Sequence, residues 1–377
     1  MTQQSPDDTG FPKKEFFAGL DTVRTLLSLG VAVGHYFYWN QTPTLFPESF
    51  YLAVDFFFVL SGFVLAQSTL NDSSATTEEF VAAFAIRRVF RLFPLYLVVF
   101  ALGVLLLGWE FSGNNDPFFY FAVSAVLLQS MGFDAGAQHI FNATSIGIAW
   151  SISVELWVGL IFFPAVFVLR RRPVLLAWSC SLVAIACWLV LVNYSPIAMQ
   201  VNLQRFAGVF TFGSIRGLLG FALGVLVFLI YTALRRSTVR LKMVGVVQFA
   251  IVGTVLALYL RNGYPQINDF VAPALFSLLI LTIAVKSSVL ERLLSAGIWS
   301  PIRNLSYGIY LTHPVFMFLW RVLEIPFNHV NCLVYIVLVT GSAYMLFLLV
   351  ERPGIRLGQR VLKCVRAGRA TPTASKT

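Results

Sequence analysis

Long apolar runs separated by short polar connections occupy most of the 377 residues. A helix needs about 20 mostly apolar residues to cross a bilayer. Runs close to that length occur near residues 18–39, 51–68, 92–108, 117–133, 149–169, 174–193, 215–234, 243–260, 269–285, 305–323 and 330–350. The pattern predicts an all-α, polytopic membrane helical bundle.

The basic connections between these runs predict the orientation of the chain. Lys and Arg accumulate in cytoplasmic loops, and here they cluster at 13–14, 87–91, 170–172, 235–242, 286–303 and from 352 onward. Placing every cluster inside puts both termini in the cytoplasm, which requires an even number of crossings. We interpret the short segment 117–133 as re-entrant or outward-lying, which leaves ten transmembrane helices.

Composition supports the membrane class and excludes others. Hydrophobic residues make up 58% of the chain and charged residues 12%, whereas soluble domains carry about 25% charged residues. The net charge of +10 lies in the predicted cytoplasmic loops, so we expect no nucleic-acid partner. The four cysteines lack metal or redox spacing, and no metal site is expected. The predicted division is a cytoplasmic segment 1–17, a membrane domain 18–353 and a basic cytoplasmic tail 354–377.

Three ionisable residues on different predicted helices lie at similar depth near the outer face. They are His35, Asp55 and Glu155. Ionisable side chains inside spans are costly and usually mark functional sites. An imidazole can take a proton, and carboxylates can orient it and stabilise its cation. We therefore predict a catalytic group of His35 as general base with Glu155 and Asp55, although a lone intramembrane histidine can also serve only to bond a neighbouring helix.

Arginines are predicted at the opposite, inner end of the same bundle. Arg24 shares a helix face with His35 about 16 Å away, while Arg87, Arg88 and Arg91 lie on one helix face as a fork suited to phosphates. The positive-inside rule alone also explains this cluster, and an alternative for Asp21 is that it only pairs with Arg24. The candidate binding set is completed by Trp150, Ser151, Tyr307 and His313. For His313 an alternative is that it bonds a carbonyl freed by Pro314.

An ordered set of motifs resembles the acyltransferase 3 family of membrane O-acyltransferases. The motifs are Leu20-Asp21 with Arg24 and His35, Asp55 to Phe63, Arg87 to Tyr96, Trp150 to Glu155, Ser306 to His313, and Glu351-Arg352-Pro353. Thr25 replaces a Gly that often follows the first arginine, and we expect no SGNH-type esterase domain.

The resemblance implies transfer of an acyl group, commonly acetyl, from cytoplasmic acyl-CoA to a hydroxyl of an extracytoplasmic or lipid-linked glycan. Its functional positions correspond here to Arg24, His35, Arg88, Arg91 and Glu155. The expected partners are acyl-CoA, the glycan acceptor and membrane lipids, with no bound cofactor beyond the CoA donor, in a bacterial cytoplasmic membrane. The alternative is a proton-coupled glycan or lipid transporter using His35, Asp55 and Glu155 as a relay. The oligomeric state, the acceptor and the acyl chain stay open.

Overall fold

The fold is a helical bundle with one short hairpin. The computed structural model describes residues 15–38, 40–41, 46–107, 117–132, 148–200, 202–208, 210–236, 244–260, 267–285 and 289–370. The helices are α1 (Ala18–Tyr38), α2 (Ala53–Leu70), α3 (Thr77–Leu107), α4 (Pro117–Ala125), α5 (Trp150–Leu169), α6 (Pro173–Tyr194), α7 (Phe212–Arg236), α8 (Val244–Leu260), α9 (Ala272–Ala284), α10 (Val289–Leu294), α11 (Ser306–Val322), α12 (His329–Leu346) and α13 (Arg352–Ala370). Strands β1 (Arg205–Phe206) and β2 (Phe210–Thr211) pair antiparallel just before α7.

Six helices within the described residues are long and apolar enough to cross a membrane, which supports a multi-pass protein. They cover 48–70, 77–105, 150–169, 173–194, 212–235 and 329–367. Shorter apolar helices lie at Val247–Ala257 and Asp269–Ala284. The helices α1 and α11 are not among the six. Polar side chains lower the mean hydropathy of α1, and α11 has only 17 residues. The count of ten crossings and the side of each terminus stay predictions.

The segment 117–133 does not form a long helix in its described part. The helix α4 has nine residues and is followed by a 3-10 turn at Gln129–Met131. Nine helical residues extend about 13 Å, less than half of a hydrocarbon core of about 30 Å. This agrees with the interpretation of the segment as re-entrant or outward-lying.

Glycines bring α2 and α7 into backbone contact. A Cβ at Gly224 would lie 2.3 Å from the Val59 carbonyl oxygen, and one at Gly220 would lie 2.4 Å from the Phe58 side chain. Gly62 likewise faces the Phe221 backbone of α7 at 2.7 Å. Small residues allow such close approach in membrane helices. These two helices form the centre of the largest buried apolar cluster.

The helix that contains the last apolar run continues well beyond the predicted span. The helix α12 passes through a π-helical turn at Phe347–Glu351 and goes on as α13. The helix α13 packs on α3 through two glycines, with Gly354 against Pro94 and Gly358 against Phe90. The first part of the predicted basic tail is therefore a helix, and its two glycines make room for the Pro94 and Phe90 side chains of α3.

Candidate active site

The two intramembrane histidines of the sequence form a pair. Nδ1 of His35 on α1 lies 2.8 Å from Nε2 of His313 on α11. On its other side, the Nδ1 atom of His313 faces the carbonyl oxygen of Ile309, one turn back on α11, at 3.2 Å. His313 is fully buried, while His35 is half-buried. A hydrogen-bonded chain therefore runs from the α11 backbone through one imidazole to the other.

Aromatic packing fixes the plane of the His35 ring. The edge of Phe50 meets this ring at an interplanar angle of 89°, with the ring centres 4.9 Å apart. Phe50 can reach His35 because the preceding residue on α1 is a glycine. A Cβ at Gly34 would fall 2.3 Å from the Phe50 ring. Any side chain at position 34 would displace this ring from His35.

A cavity of about 70 Å³ lies between α1, α2, α3, α5 and α11. Its polar lining consists of Arg24, Ser28, Ser61, Arg91, Ser151, Glu155, Ser306, Tyr307 and Tyr310. Its apolar lining consists of Val54, Phe57, Phe58, Leu92 and Ile152. The Tyr310 ring also contacts the His313 ring edge-on, with centres 5.9 Å apart. The cavity thus extends from two arginines to within one side chain of the histidine pair.

The arginines predicted as one fork have different partners. Arg88 is buried and bonds Glu155, with 2.9 Å to the carboxylate and 3.0 Å to the backbone carbonyl. Arg87 pairs with Asp72 at 3.0 Å, outside the cavity lining. Arg91 is exposed, lines the cavity and makes no hydrogen bond or ion pair to any described residue. A single helix turn therefore separates an internal structural arginine from one that faces the cavity.

Arg24 is the second arginine of the cavity wall. It contacts Asp21 at 3.4 Å, as the spacing of three residues allows, and its buried Nε has no partner. Glu351, the last residue of the π turn, is also buried, and its Oε2 atom has no partner. Both Arg24 and Arg91 lie close enough to act on the charge of Glu351. The Nε atom of Arg24 is thus an unsatisfied donor at the cavity wall, which an anionic ligand could satisfy.

The structure does not bring Asp55 and Glu155 to His35. The carboxylate of Asp55 forms a two-pronged ion pair with Arg216 of α7, at 2.7 Å and 3.1 Å, and both residues are 2% exposed. The Arg216 guanidinium lies over the Trp150 ring at 5.2 Å. Glu155 accepts hydrogen bonds from Arg88 and, at 3.1 Å, from Ser61. Each carboxylate is therefore paired with an arginine instead of His35, and the partner of Glu155 is an arginine predicted at the opposite, inner end of the bundle.

The remaining predicted hydroxyls are occupied within the bundle. Tyr307 donates its hydroxyl hydrogen to the Leu92 carbonyl at 2.7 Å. Ser151 and Tyr310 lie 2.8 Å apart, and each is within reach of the Ile148 carbonyl oxygen. Two hydroxyl hydrogens serve these two contacts, because one hydroxyl donates to the carbonyl and the other donates to the first. In this arrangement neither Ser151 nor Tyr310 has a spare donor for an oxyanion.

Sequence reasoning missed three residues of this region. Arg216 and Asp269 are buried at the starts of two predicted spans, and Asp269 accepts a very short hydrogen bond from Tyr51. The rule that selected Asp55 would have selected both, because each is an ionisable residue within an apolar run. Tyr310 belongs to the quoted motif around His313, but only its packing reveals it as cavity lining. Among the described residues, no group of three His, Cys, Asp or Glu side chains could hold a metal.

Comparison with known proteins identifies the family. Residues 17–350 match the family model described as an acyltransferase domain, that of the acyltransferase 3 family. A protein of Rhizobium radiobacter called protein 2 in the picA locus is 30% identical over 172 residues, which cover 44% of this chain and 75% of that protein. No solved structure matches. The match covers α1 to the π turn and includes both histidines and every arginine of the cavity, and the chain therefore belongs to the acyltransferase 3 family of membrane acyltransferases.

Proposed function

We propose that this protein transfers an acetyl group from cytoplasmic acetyl-CoA to a hydroxyl of an extracytoplasmic or lipid-linked glycan, with His35 as the general base. The observation that carries the proposal is the cavity with Arg24 and Arg91 at one end and the histidine pair beyond the other. Eleven residues of α1 separate Arg24 from His35, a rise of about 16 Å. An extended pantetheine arm has a length of that order.

The donor phosphates bind at Arg24 and Arg91. These two side chains line the cavity, Arg24 despite its longer contact of 3.4 Å to Asp21, whereas Arg87 and Arg88 do not line it and pair with carboxylates at 3.0 Å and 2.9 Å. Arg88 also neutralises Glu155, so the negative charge of that wall does not oppose an anionic ligand. Guanidinium groups suit phosphate oxygens because they offer several N–H donors in one plane. Arg88 and Glu155 thus act in the proposal as the support of the cavity wall.

The transfer begins with His35 acting as the general base. The imidazole takes the proton of the acceptor hydroxyl as its oxygen attacks the thioester carbonyl. The tetrahedral intermediate then expels the CoA thiolate, which takes the proton back from the imidazolium and leaves as the thiol. The acceptor gains the acetyl ester, and the enzyme returns to its starting charge. General base catalysis supplies about 10²–10⁴-fold, so alignment of donor and acceptor supplies the remainder.

The orientation of the bundle assigns each substrate to one side. The positive-inside prediction puts Arg24 at the cytoplasmic end of α1, where acyl-CoA is found, and His35 in the outer third. The connections predicted to lie outside are short, which favours an acceptor that is itself brought to the membrane, such as a lipid-linked saccharide. The proposed location is the bacterial cytoplasmic membrane.

The test is transfer of label from radioactive acetyl-CoA to a membrane glycan extract by the purified protein in nanodiscs. We expect labelled glycan with the wild type and none with folded His35→Ala. The matched control is His329→Ala, because His329 is exposed at the start of α12 and contacts Phe37 rather than the cavity. We expect it to retain full activity.

Two outcomes would contradict the proposal. Activity that survives His35→Ala would move the base to another group. Absence of transfer and of CoA release with acetyl, succinyl and longer donors, in folded wild-type protein, would refute an acyl-CoA enzyme. Uptake of a glycan lipid into proteoliposomes without any acyl-CoA would then favour the transporter alternative.

A further inference from the structure

We propose that His313 is a positioning residue that holds His35 in the tautomer with hydrogen on Nδ1, so that Nε2 of His35 is the base atom. The inference rests on the proposed function for its catalytic consequence. Its structural part stands on the hydrogen-bonded chain from Ile309 through His313 to His35.

The two rings meet in line and share nearly one plane. Their centres are 5.1 Å apart with an interplanar angle of 15°, and the bonded nitrogens are 2.8 Å apart. The distance between the ring centres equals the distance between the two nitrogens plus the distance from each nitrogen to the centre of its own ring. This is possible only when both centres and both nitrogens lie on one line. The rings are therefore side by side and not stacked. The lone pair of one nitrogen points along the N–H bond of the other, which is the favoured geometry for a hydrogen bond.

The α11 backbone determines which nitrogen of His313 carries hydrogen. Nδ1 faces the Ile309 carbonyl at 3.2 Å, and the Tyr310 carbonyl lies near the same ring. The Tyr310 carbonyl lacks its usual helical donor because Pro314, four residues later, has no N–H. Carbonyl oxygens only accept, so Nδ1 of His313 must donate. In the opposite tautomer, the lone pair of Nδ1 would face the lone pairs of the Ile309 carbonyl oxygen. No water could relieve this repulsion, because His313 is 0% exposed.

The tautomer of His35 follows from that of His313. With hydrogen on Nδ1, Nε2 of His313 can only accept, so Nδ1 of His35 is the donor and its lone pair is on Nε2. When Nε2 takes a proton, the Nδ1 hydrogen bond becomes charge-assisted and stronger. His313 cannot pass its own hydrogen onward without losing the carbonyl contact. The orienting group is thus a neutral imidazole, in place of the carboxylates expected from the sequence.

Two substitutions separate orientation from packing. His313→Gln can keep both contacts, with the amide oxygen accepting from His35 and the amide N–H donating to the Ile309 carbonyl. His313→Leu fills space but has neither group. We expect His313→Leu to lower kcat by about 10- to 100-fold, the usual effect of losing a supporting hydrogen bond, with unchanged KM for acetyl-CoA. We expect His313→Gln to lose less, and His329→Ala to behave as wild type.

Nitrogen-15 NMR of histidine-labelled protein tests the tautomer directly. The chain has four histidines, so single substitutions assign every ring. We expect His35 and His313 of the wild type to carry hydrogen on Nδ1, and His35 to become a tautomer mixture in His313→Leu. A wild-type His35 with hydrogen on Nε2 would overturn the inference, even if a variant fails to fold.

The result also separates this inference from the proposed function. Full kcat in His313→Leu, with His35→Ala inactive, would refute the positioning role alone. A wild type inactive with every acyl donor would refute the proposed function, whatever tautomer the spectra show.

Discussion

Removing the charge of Asp55 should destabilise the protein without removing its catalytic base. Asp55 and Arg216 are each 2% exposed and share two hydrogen bonds. Breaking a buried ion pair by removing one partner costs about 3–5 kcal/mol, because the other charge stays buried. Asp269 lies close enough to act electrostatically on Asp55 and is itself fully buried. A second carboxylate in this region still attracts Arg216 when Asp55 is gone, which puts Asp55→Leu near the lower limit, about 3 kcal/mol.

The reverse substitution should cost more. Removing Arg216 leaves Asp55 and Asp269 buried near each other with no described arginine between them, so Arg216→Met should reach about 5 kcal/mol. The double variant removes both members of the pair and should cost less than the sum of the single variants. The difference is their coupling energy, which for contacting residues is about 0.5–3 kcal/mol.

The assay is the free energy of unfolding from SDS titration in mixed micelles, together with acetyl transfer per folded molecule. We expect folded Asp55→Leu/Arg216→Met to keep transfer within about tenfold of the wild type. The reasoning would be refuted if Asp55→Asn had wild-type stability but were as inactive as His35→Ala. That outcome would return Asp55 to the catalytic group.

Two further comparisons use matched positions. Arg91→Ala should raise KM for acetyl-CoA by about 10-fold or more, since a charged hydrogen bond to phosphate contributes about 1.5–3 kcal/mol. Arg87→Ala removes only the partner of Asp72 and should leave KM within twofold. Equal KM values for the two variants would place the phosphates elsewhere. Gly224→Val should prevent folding, because its Cβ would lie 2.3 Å from a backbone oxygen of α2, whereas Gly253→Val, with nothing within 4 Å, should fold as the wild type does. Thermal unfolding in detergent measures both, and equal stability of the two valine variants would contradict the α2–α7 contact.

Hydropathy predicted most helices of this fold because length and apolar character are local properties of a chain. The segments 149–169, 174–193 and 243–260 agree with α5, α6 and α8 to within about one residue at each end. The long extensions were not predicted, since α3 begins 15 residues before the apolar segment at 92–108 and α12 continues through a π turn into α13. Charged residues interrupt the apolar pattern in both extensions, and packing against neighbouring helices stabilises them, as the buried Phe80 and Phe84 show for α3.

The partners of the candidate site residues could not be predicted from their expected depth along the helices. Counting residues from a helix end placed His35, Asp55 and Glu155 near one level, and Arg24 near the other end. Which side chains meet depends on the rotation of each helix and on its neighbours, and both are properties of tertiary packing. Arg216 on α7, 161 residues from Asp55 in sequence, binds that carboxylate in place of His35.

The glycine contacts between α2 and α7 have a mechanical consequence. Where backbone touches backbone, no layer of flexible side chains can reorganise, and a shift by one residue would drive a Val or Phe side chain into space that only glycine leaves. The ion pair of Asp55 and Arg216 joins the same two helices, so separating α2 from α7 would break both the close backbone contact and the ion pair. The histidine pair joins α1 to α11, and neither of these helices takes part in those contacts. Because the cavity lies between α2 and these two helices, a separation of α1 and α11 from α2 would widen the cavity and leave the α2–α7 contacts intact.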